Sequence, residues 1–533
     1  MEAEPEKTKT AFAQLTSEPS SSIWTRRIII MAFWSVVVVL GIPLWTWTTS
    51  IHRSSLPLEA MNAWAEGKVG HYQIYACTPH YPLQIQLRAP PLNSQESAIL
   101  AGHTENMLNA QQISPLHSFH VTVDNMKLSN KHNALTVVVK SESSKPSIKL
   151  ESWQPVLEFN LPRRSLEDLG SVAGFLSQEL ARLFTNEIAS LSYLIKDTPF
   201  AANIAPLQLS REQQHESEKK TTRAFKYAST YHLTFSLFTP AASPSAWEID
   251  EAINEYITPL IEQLLPISNF TIDTQVQLYA AFSPSIAGPV FDASRNHWTL
   301  QYSDLTGFVN AAEWPLSPSI GFGPTINLVL YVPSLEKCPL LIAESEGTSW
   351  IIPQWGGVQI HNPAGKKGNT LTLDDLRPHM LTFADQIAAL LGVPSSPPSL
   401  PLKINSLTRE RATSLIMSAS STLGALSRLT LKLTSIAIPD SVANSVDETL
   451  HRLDQACSDL RSGHFQSALE NARTAEEEVE KAFFEPSMVG QVYFPDEHKV
   501  AVYVPLLGPM AVPLIMSGLK ELQKFRQRKQ KTK

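Results

Sequence analysis

The residue types that could do chemistry in this 533-residue sequence stand at spacings that suit little of it. His117 and His120 lie three apart in a predicted strand, which turns them to opposite faces and makes them poor joint metal ligands. Asp374 and Asp375 open the run LDDLRPHMLTFADQIAALL, where carboxylates complement the positive end of a helix dipole. AGKKGNT (364–370) lacks the spacing of a phosphate loop and reads as a surface turn. Cys77, Cys338 and Cys457 are far apart and form no CxxC, so no zinc ribbon or redox pair is visible, and the odd count permits at most one internal disulfide. Cys457 falls on the apolar face of a predicted helix and reads as a small core residue. The sequence contains no GxSxG, HExxH, GxxxxGK[ST], GxGxxG or Asp-x-Asp. That argues against the common hydrolases, nucleotide-binding folds and metal-dependent glycosyltransferases, while a Cys–His pair stays open. No catalytic residue, cofactor or metal site is expected.

Two stretches carry chemistry of another kind, since each is acted on. Asn269-Phe270-Thr271 is an N-glycosylation acceptor sequence, with Asn269 as the acceptor. The final KQKTK places Lys531 and Lys529 third and fifth from the end, the dilysine pattern of endoplasmic reticulum (ER) retrieval.

Both depend on where the membrane lies. Residues 28–47, IIIMAFWSVVVVLGIPLWTW, are uncharged, follow Arg26 and Arg27, and are long enough to cross a hydrocarbon core. Bulky residues follow in place of a cleavage site, so this is read as an uncleaved signal anchor. Residues 500–519, VAVYVPLLGPMAVPLIMSGL, form a predicted second span. Its Pro505, Pro509 and Pro513 recur every four residues and drift about 40° per step, so they share a face. Each proline removes an amide, and the freed carbonyls would be costly against lipid. The face is therefore expected to pack on another protein's helix, helped by Gly508 and Ala511. A GPI-anchor signal would end in its apolar segment, whereas here a basic tail follows. That tail (520–533) has seven cations against Glu521, and by the positive-inside rule it is cytoplasmic, as is the 1–27 tail.

Between the spans the net charge is −13 out of a total of −7, a poor surface for nucleic acid. The runs at 71–79, 82–88, 118–123, 134–140, 231–238, 270–282, 297–303 and 326–332 read as strands. Ser165 and Asp168 suggest a capping box opening a helix through Leu169, Val172, Leu176, Leu180 and Leu183. Residues 210–223 read as an exposed loop, and a helix is expected near Trp247–Leu265. Trp355, Gly356 and Gly357 read as a tight turn. No internal repeat is apparent. The predicted fold is a mixed α/β lumenal body (48–404), then a helical hairpin or three-helix bundle (405–486), then a lumenal strand or turn (487–499). The bundle helices are marked by Ala412, Leu415, Ala419, Leu423 and Leu426, by Val442 to Leu460 between Asp440 and Gly463, and by His464–Phe484 stopping at Pro486.

LGIPLWTWTTSIHRSSLPLEAM (40–61), INLVLYVPS (326–334), SWIIPQWGGVQIHNP (349–363), SASSTLGALSRL (418–429) and FFEPSMVGQVYFPDEHKVAVYVPLLGPMAVPL (483–514) resemble the PIG-S family, the S subunit of the GPI transamidase complex. The resemblance spreads over most of the chain and is weakest between about 90 and 220. It implies a non-catalytic subunit of the ER machine that attaches preformed GPI anchors to the C-terminus of proproteins. Its partners would be a cysteine-protease-like catalytic subunit and the T, U and GPI-attachment subunits. Whether it contacts proprotein or GPI lipid is left open. The rival readings are an ER-tethered lumenal binding module or chaperone, and a lumenal glycan-modifying enzyme.

Overall fold

Short β-branched and aromatic runs form the strands and longer 3.6-periodic runs the helices, giving a mixed α/β fold. The computed structural model describes residues 19–49, 52–67, 77, 79–111, 114–123, 135–142, 145–204, 209–280, 288–301, 303–305, 323–363, 368–433, 436–490 and 496–531. Most of the 71–79 run and residues 364–367 of AGKKGNT lie outside these. The chain divides into two compact units: Met1–Leu56 with Arg428–Asn444 and Lys481–Lys533, and Pro57–Ser427 with Ser445–Glu480.

The first helix runs as α1 (Ser20–Val36), a π-helical turn (Val37–Gly41) and α2 (Ile42–Thr49). Pro43 has no amide and its ring crowds the carbonyl four residues back, and the widened turn just before it absorbs the conflict. Among the described residues, Ser21–Leu44 is the one helix found long and apolar enough to cross a membrane. Beyond it, Arg53 bridges to Ile438 and donates to the carbonyls of Thr430 and Leu433, capping the end of a long helix described below. His52 and Ser54 both bond Asp440.

In the second unit, α3 (Leu58–Ala65) precedes a five-stranded sheet. It is built from β1 (Tyr81–Arg88), β2 (His117–Val123), β3 (Leu135–Lys140), β4 (Ser147–Leu150) and β5 (Val156–Asn160), in the order β2-β1-β3-β5-β4. All neighbours are parallel except β4 on β5. The helix α4 (Ser94–Ala110) crosses from β1 to β2, and α5 (Leu169–Ile195) follows β5. Leu83, Ile85, Phe119, Val137, Phe159, Leu176 and Leu180 share the core between them. Ser165 does not cap α5. It lies in a 3-10 turn, and Asp168 itself is the cap, accepting from the amides of Gly170 and Ser171.

Residues 211–223 are helical, not a loop: α6 (Arg211–Arg223) is opened by a capping box of Ser210 and Gln213. The second large sheet follows, with β6 (Thr230–Phe238), a short β7 (Ala246–Trp247), α7 (Ile249–Ala252), a π-helical turn, α8 (Thr258–Leu264) and β8 (Asn269–Gln277). After the small strands β9 (Val290–Asp292) and β10 (His297–Leu300) come β11 (Thr325–Tyr331), β12 (Leu340–Ile342), β13 (Ser349–Ile352), β14 (Gly356–Ile360), β15 (Thr370–Leu371) and α9 (Leu373–Leu390). The sheet order is β13-β14-β11-β6-β8, parallel throughout except β13 on β14.

Read from its other edge, this sheet repeats the first. In each, the strands stand in the order second, first, third, fifth, fourth, and the fourth is the antiparallel edge. Each first crossover carries helix, and each fifth strand leads into a long helix, α5 or α9. The body thus contains one α/β topology twice, a repeat the sequence does not display. At β14 the absence of side chains is obligatory: a Cβ on Gly356 would fall 1.9 Å from the carbonyl oxygen of Asn327, and one on Gly357 would fall 2.1 Å from Gln386. The turn itself is at Gln354, with φ of 55°.

The chain ends in α10 (Leu400–Lys432), α11 (Asp440–Ser462), α12 (Phe465–Phe483), a short α13 (Pro486–Gly490) and α14 (Asp496–Lys531). The expected apolar stripes of α10 and α11 are buried apart from Leu450, which is half-buried. Helix α10 starts at Leu400, ahead of the expected boundary at 405. Pro486 begins a helix, as proline can at a first turn, and the strand or turn expected over 487–499 is helical at its described residues.

Candidate functional site

The second unit holds a cleft of about 940 Å³ between the end of α5, α6, α10 and α12. Its wall is charged in both senses. Lys220 of α6 reaches Glu410 of α10 at 2.6 Å. Arg411 donates to the carbonyl of Leu391 at 2.8 Å, closing the end of α9. Arg473 of α12 donates to the Ile267 carbonyl and lies 5.7 Å from the ring centre of Tyr227. Glu476 accepts from Ser418 at 2.6 Å, and its other oxygen is buried without a hydrogen-bond partner. Burial, and then the neighbouring Glu480, push its carboxyl above the usual range. No cysteine or histidine stands among the described lining residues. Such a wall can hold polar or charged groups, but it offers no thiol or imidazole for acyl transfer.

A second cluster is sealed in the core. Glu187 of α5 takes two hydrogen bonds from Arg409 of α10, at 2.5 and 2.7 Å. His117 of β2 lies 3.7 Å from the same carboxylate, Arg409 stacks over Phe465, and Tyr81 bonds Thr413 at 2.6 Å. Burial alone would raise Glu187, yet the guanidinium of Arg409, its two hydrogen bonds and the nearby His117 hold it well below the carboxylate range. Burial lowers His117 and raises Tyr81. With Glu187, Arg409, His117 and Tyr81 buried, this network ties the first sheet to the late helices.

The residues singled out in the sequence do not converge. Asn269 is exposed at the start of β8, an outer strand of its sheet, and the Thr271 hydroxyl of its acceptor sequence bonds His232. Pro505, Pro509 and Pro513 are exposed inside the continuous helix α14. Gly508 and Ala511 are half-buried and belong to another side: at about 100° per residue, Ala511 is some 160° from Pro509. The small residue that faces α1 is Gly518, where a Cβ would meet the Trp34 indole nitrogen at 3.6 Å. Sequence reasoning missed it because helix-to-helix proximity has no local signal. Lys529 and Lys531 fall in the last turn of α14. Near that end Arg26 and Arg27 both pair with Glu521, at 3.0 and 3.1 Å.

Cys457 is not merely a core residue: it is joined to Cys77 in a disulfide. Cys338 is outside any disulfide and donates to the Ser334 carbonyl. His117 is buried and His120 exposed, as their spacing requires. Asp375 completes a capping box with Thr372 at the start of α9. Among the described residues, no three His, Cys, Asp or Glu side chains gather to hold a metal ion.

The profile of the PIG-S family, described as phosphatidylinositol-glycan biosynthesis class S protein, matches residues 32–528. The chain belongs to the PIG-S family. Its relatives include the human GPI-anchor transamidase component PIGS, 27% identical over 92% of this chain and 93% of its own length. The PIG-S homolog of Schizosaccharomyces pombe, named a GPI transamidase component, is 27% identical over 95% of this chain and 85% of its own. The Saccharomyces cerevisiae GPI transamidase component GPI17 is 24% identical, with 95% and 93% covered. The PIG-S match thus includes both large sheets, the late helices and most of α14.

Proposed function

We propose that this chain is a non-catalytic subunit of the ER GPI transamidase complex, needed to attach preformed GPI anchors to the C-terminus of proproteins. The observation that carries it is the family match running from residue 32 to residue 528, with relatives named as components of that complex. The chemistry would then lie in a cysteine-protease-like subunit, with T, U and GPI-attachment subunits as further partners.

In this reading residues 28–47 and 500–519 are two spans, 1–27 and 520–533 are cytoplasmic, and 48–499 is lumenal. The pairing of Arg26 and Arg27 with Glu521 supports it, because it brings the flank before the first span to the flank after the second. The late helices over 405–486 form a bundle, supported by Ser418 on Glu476 and Ser445 on Glu478. Asn269 carries a glycan, supported by its exposure. Lys529 and Lys531 are read for retrieval. The exposed face of Pro505, Pro509 and Pro513 docks a partner's membrane helix. Gly508 and Ala511, half-buried on other sides of α14, assist in bringing helices close.

Affinity purification of the tagged full chain in mild detergent tests the assignment. A cysteine-protease-like transamidase subunit should co-purify, and depletion should leave GPI proproteins uncleaved while lipid donor accumulates. Intact anchoring after depletion would favour the rival readings, a lumenal binding module or a glycan-modifying enzyme.

A further inference from the structure

The helix α14 does not stop where its apolar stretch stops. It continues from Lys520 to Lys531, about 18 Å at 1.5 Å per residue. At about 100° per residue, Lys520, Lys524, Arg528 and Lys531 fall within a sector of about 80°. That sector continues the line of Pro509 and Pro513, which stand about 20° to either side of Lys520. Glu521 and Gly518, the residues that meet α1, lie further round, about 100° and 160° from Lys520. These four cations thus share a sector centred about 90° from the line between Glu521 and Gly518 that meets α1, whereas Arg526 and Lys529 lie outside it.

Glu521 is the only acid after residue 519, and it is engaged by both Arg26 and Arg27. By sequence the tail's seven cations thus stand against one carboxylate of their own, and Glu521 is already engaged by two arginines from the flank of α1. Lys520 and Arg526 are exposed there. Cations on a rigid helix directly beyond a membrane span lie at headgroup depth, where anionic phosphate groups are the available counter-charge.

We propose that Lys520, Lys524 and Arg528 form a docking stripe for the headgroups of anionic phospholipids in the leaflet that flanks the second span. This rests on the two-span reading of α14. The stripe would fix the depth and rotation of α14, and so hold the proline face towards its helical partner.

The test uses the purified full chain in mild detergent, stripped of lipid and then exchanged against equal amounts of phosphatidylcholine and either phosphatidylserine or phosphatidylinositol. Native mass spectrometry reads the retained lipid. The wild type should retain the anionic lipid in preference to the neutral one, and added salt should erode the preference. In the Lys520→Gln/Lys524→Gln/Arg528→Gln variant the preference should fall by roughly fivefold for each cation removed, while Lys219→Gln on α6 leaves it unchanged. Equal retention of both lipids by the wild type overturns the proposal, as does a preference that survives the triple substitution. Either result leaves the stripe to an acidic protein segment. Protease digestion of sealed microsomes separates this failure from that of the topology. Removal of a C-terminal epitope from outside upholds two spans whatever the lipid result, and protection of that epitope defeats both.

Discussion

Glu187 and Arg409 are 222 residues apart in sequence and meet in a buried bidentate pair, with His117 on the same carboxylate. Removing one partner leaves a charge without compensation in the core. Arg409→Met alone should therefore cost about 3–5 kcal/mol in denaturant unfolding of the full chain, and adding Glu187→Leu should recover most of it. A double variant as unstable as the single one would refute that account. The pH dependence follows from the direction of each shift. His117 is held below its ordinary value of about 6.5, so its neutral form is the folded one. Its contribution is complete above pH ~6.5 and is lost as the pH falls through the folded value. Glu187 is also lowered, and its contribution is lost only at still more acid pH, below about 4.3. Stability should thus decline just below pH ~6.5 in the wild type and decline less in His117→Asn, as denaturant midpoints across that range would show. Parallel midpoint curves would exclude His117 as the cause. Strand alternation could say that His117 and His120 face apart. Nothing in the sequence could say which carboxylate His117 meets, because that depends on how α5 and α10 lie against the first sheet.

Helix ends were legible where their capping chemistry was local. Thr372 and Asp375 open α9, as the acidic start of that run suggests, and Ser210 with Gln213 opens α6 by the same rule. Residues 210–223 read as a loop from their polarity, although Ser210 and Gln213 are a local cap. The segment is polar on most sides since it lies at the surface, with Ser217 its one buried residue. Ser210→Ala should loosen α6 by about 0.5–2 kcal/mol, seen as faster amide hydrogen exchange across Arg211–Arg223 with the two sheets unaffected. Unchanged exchange there would mean that packing and not the cap holds the helix. Strand positions were readable from alternation, but the duplicated topology was not. Each sheet is specified by which faces are apolar, and many sequences meet that condition without resembling one another. The two terminal helices repeat the lesson. The proline stripe followed from spacing alone, whereas Gly518 became meaningful only once Trp34 stood beside it.

At the scale of the whole chain, the Cys77–Cys457 disulfide spans 380 residues of sequence and links the segment just before β1 to α11. Everything in both sheets lies inside that loop. Closing so long a loop removes much of the freedom of the unfolded chain, and a native disulfide of this kind contributes about 2–5 kcal/mol. Three unpaired-looking cysteines could not reveal it, since no spacing rule relates residues so distant, and only Cys338 proves to be outside the bond. The bond also bears on compartment, because disulfides persist in oxidising lumens and are rare in the cytosol. If the body is lumenal, Cys77→Ser/Cys457→Ser should lower the unfolding free energy of the full chain, read from denaturant titration, by an amount in that range. Reduction of the wild type should reproduce the loss, and Cys338→Ser should have little effect. Protein isolated directly into alkylating agent should run faster without reductant than with it, and should do so only when both Cys77 and Cys457 are present. A wild type that arrives fully reduced would count against both the bond and a lumenal body, because a cytosolic location would keep the thiols apart.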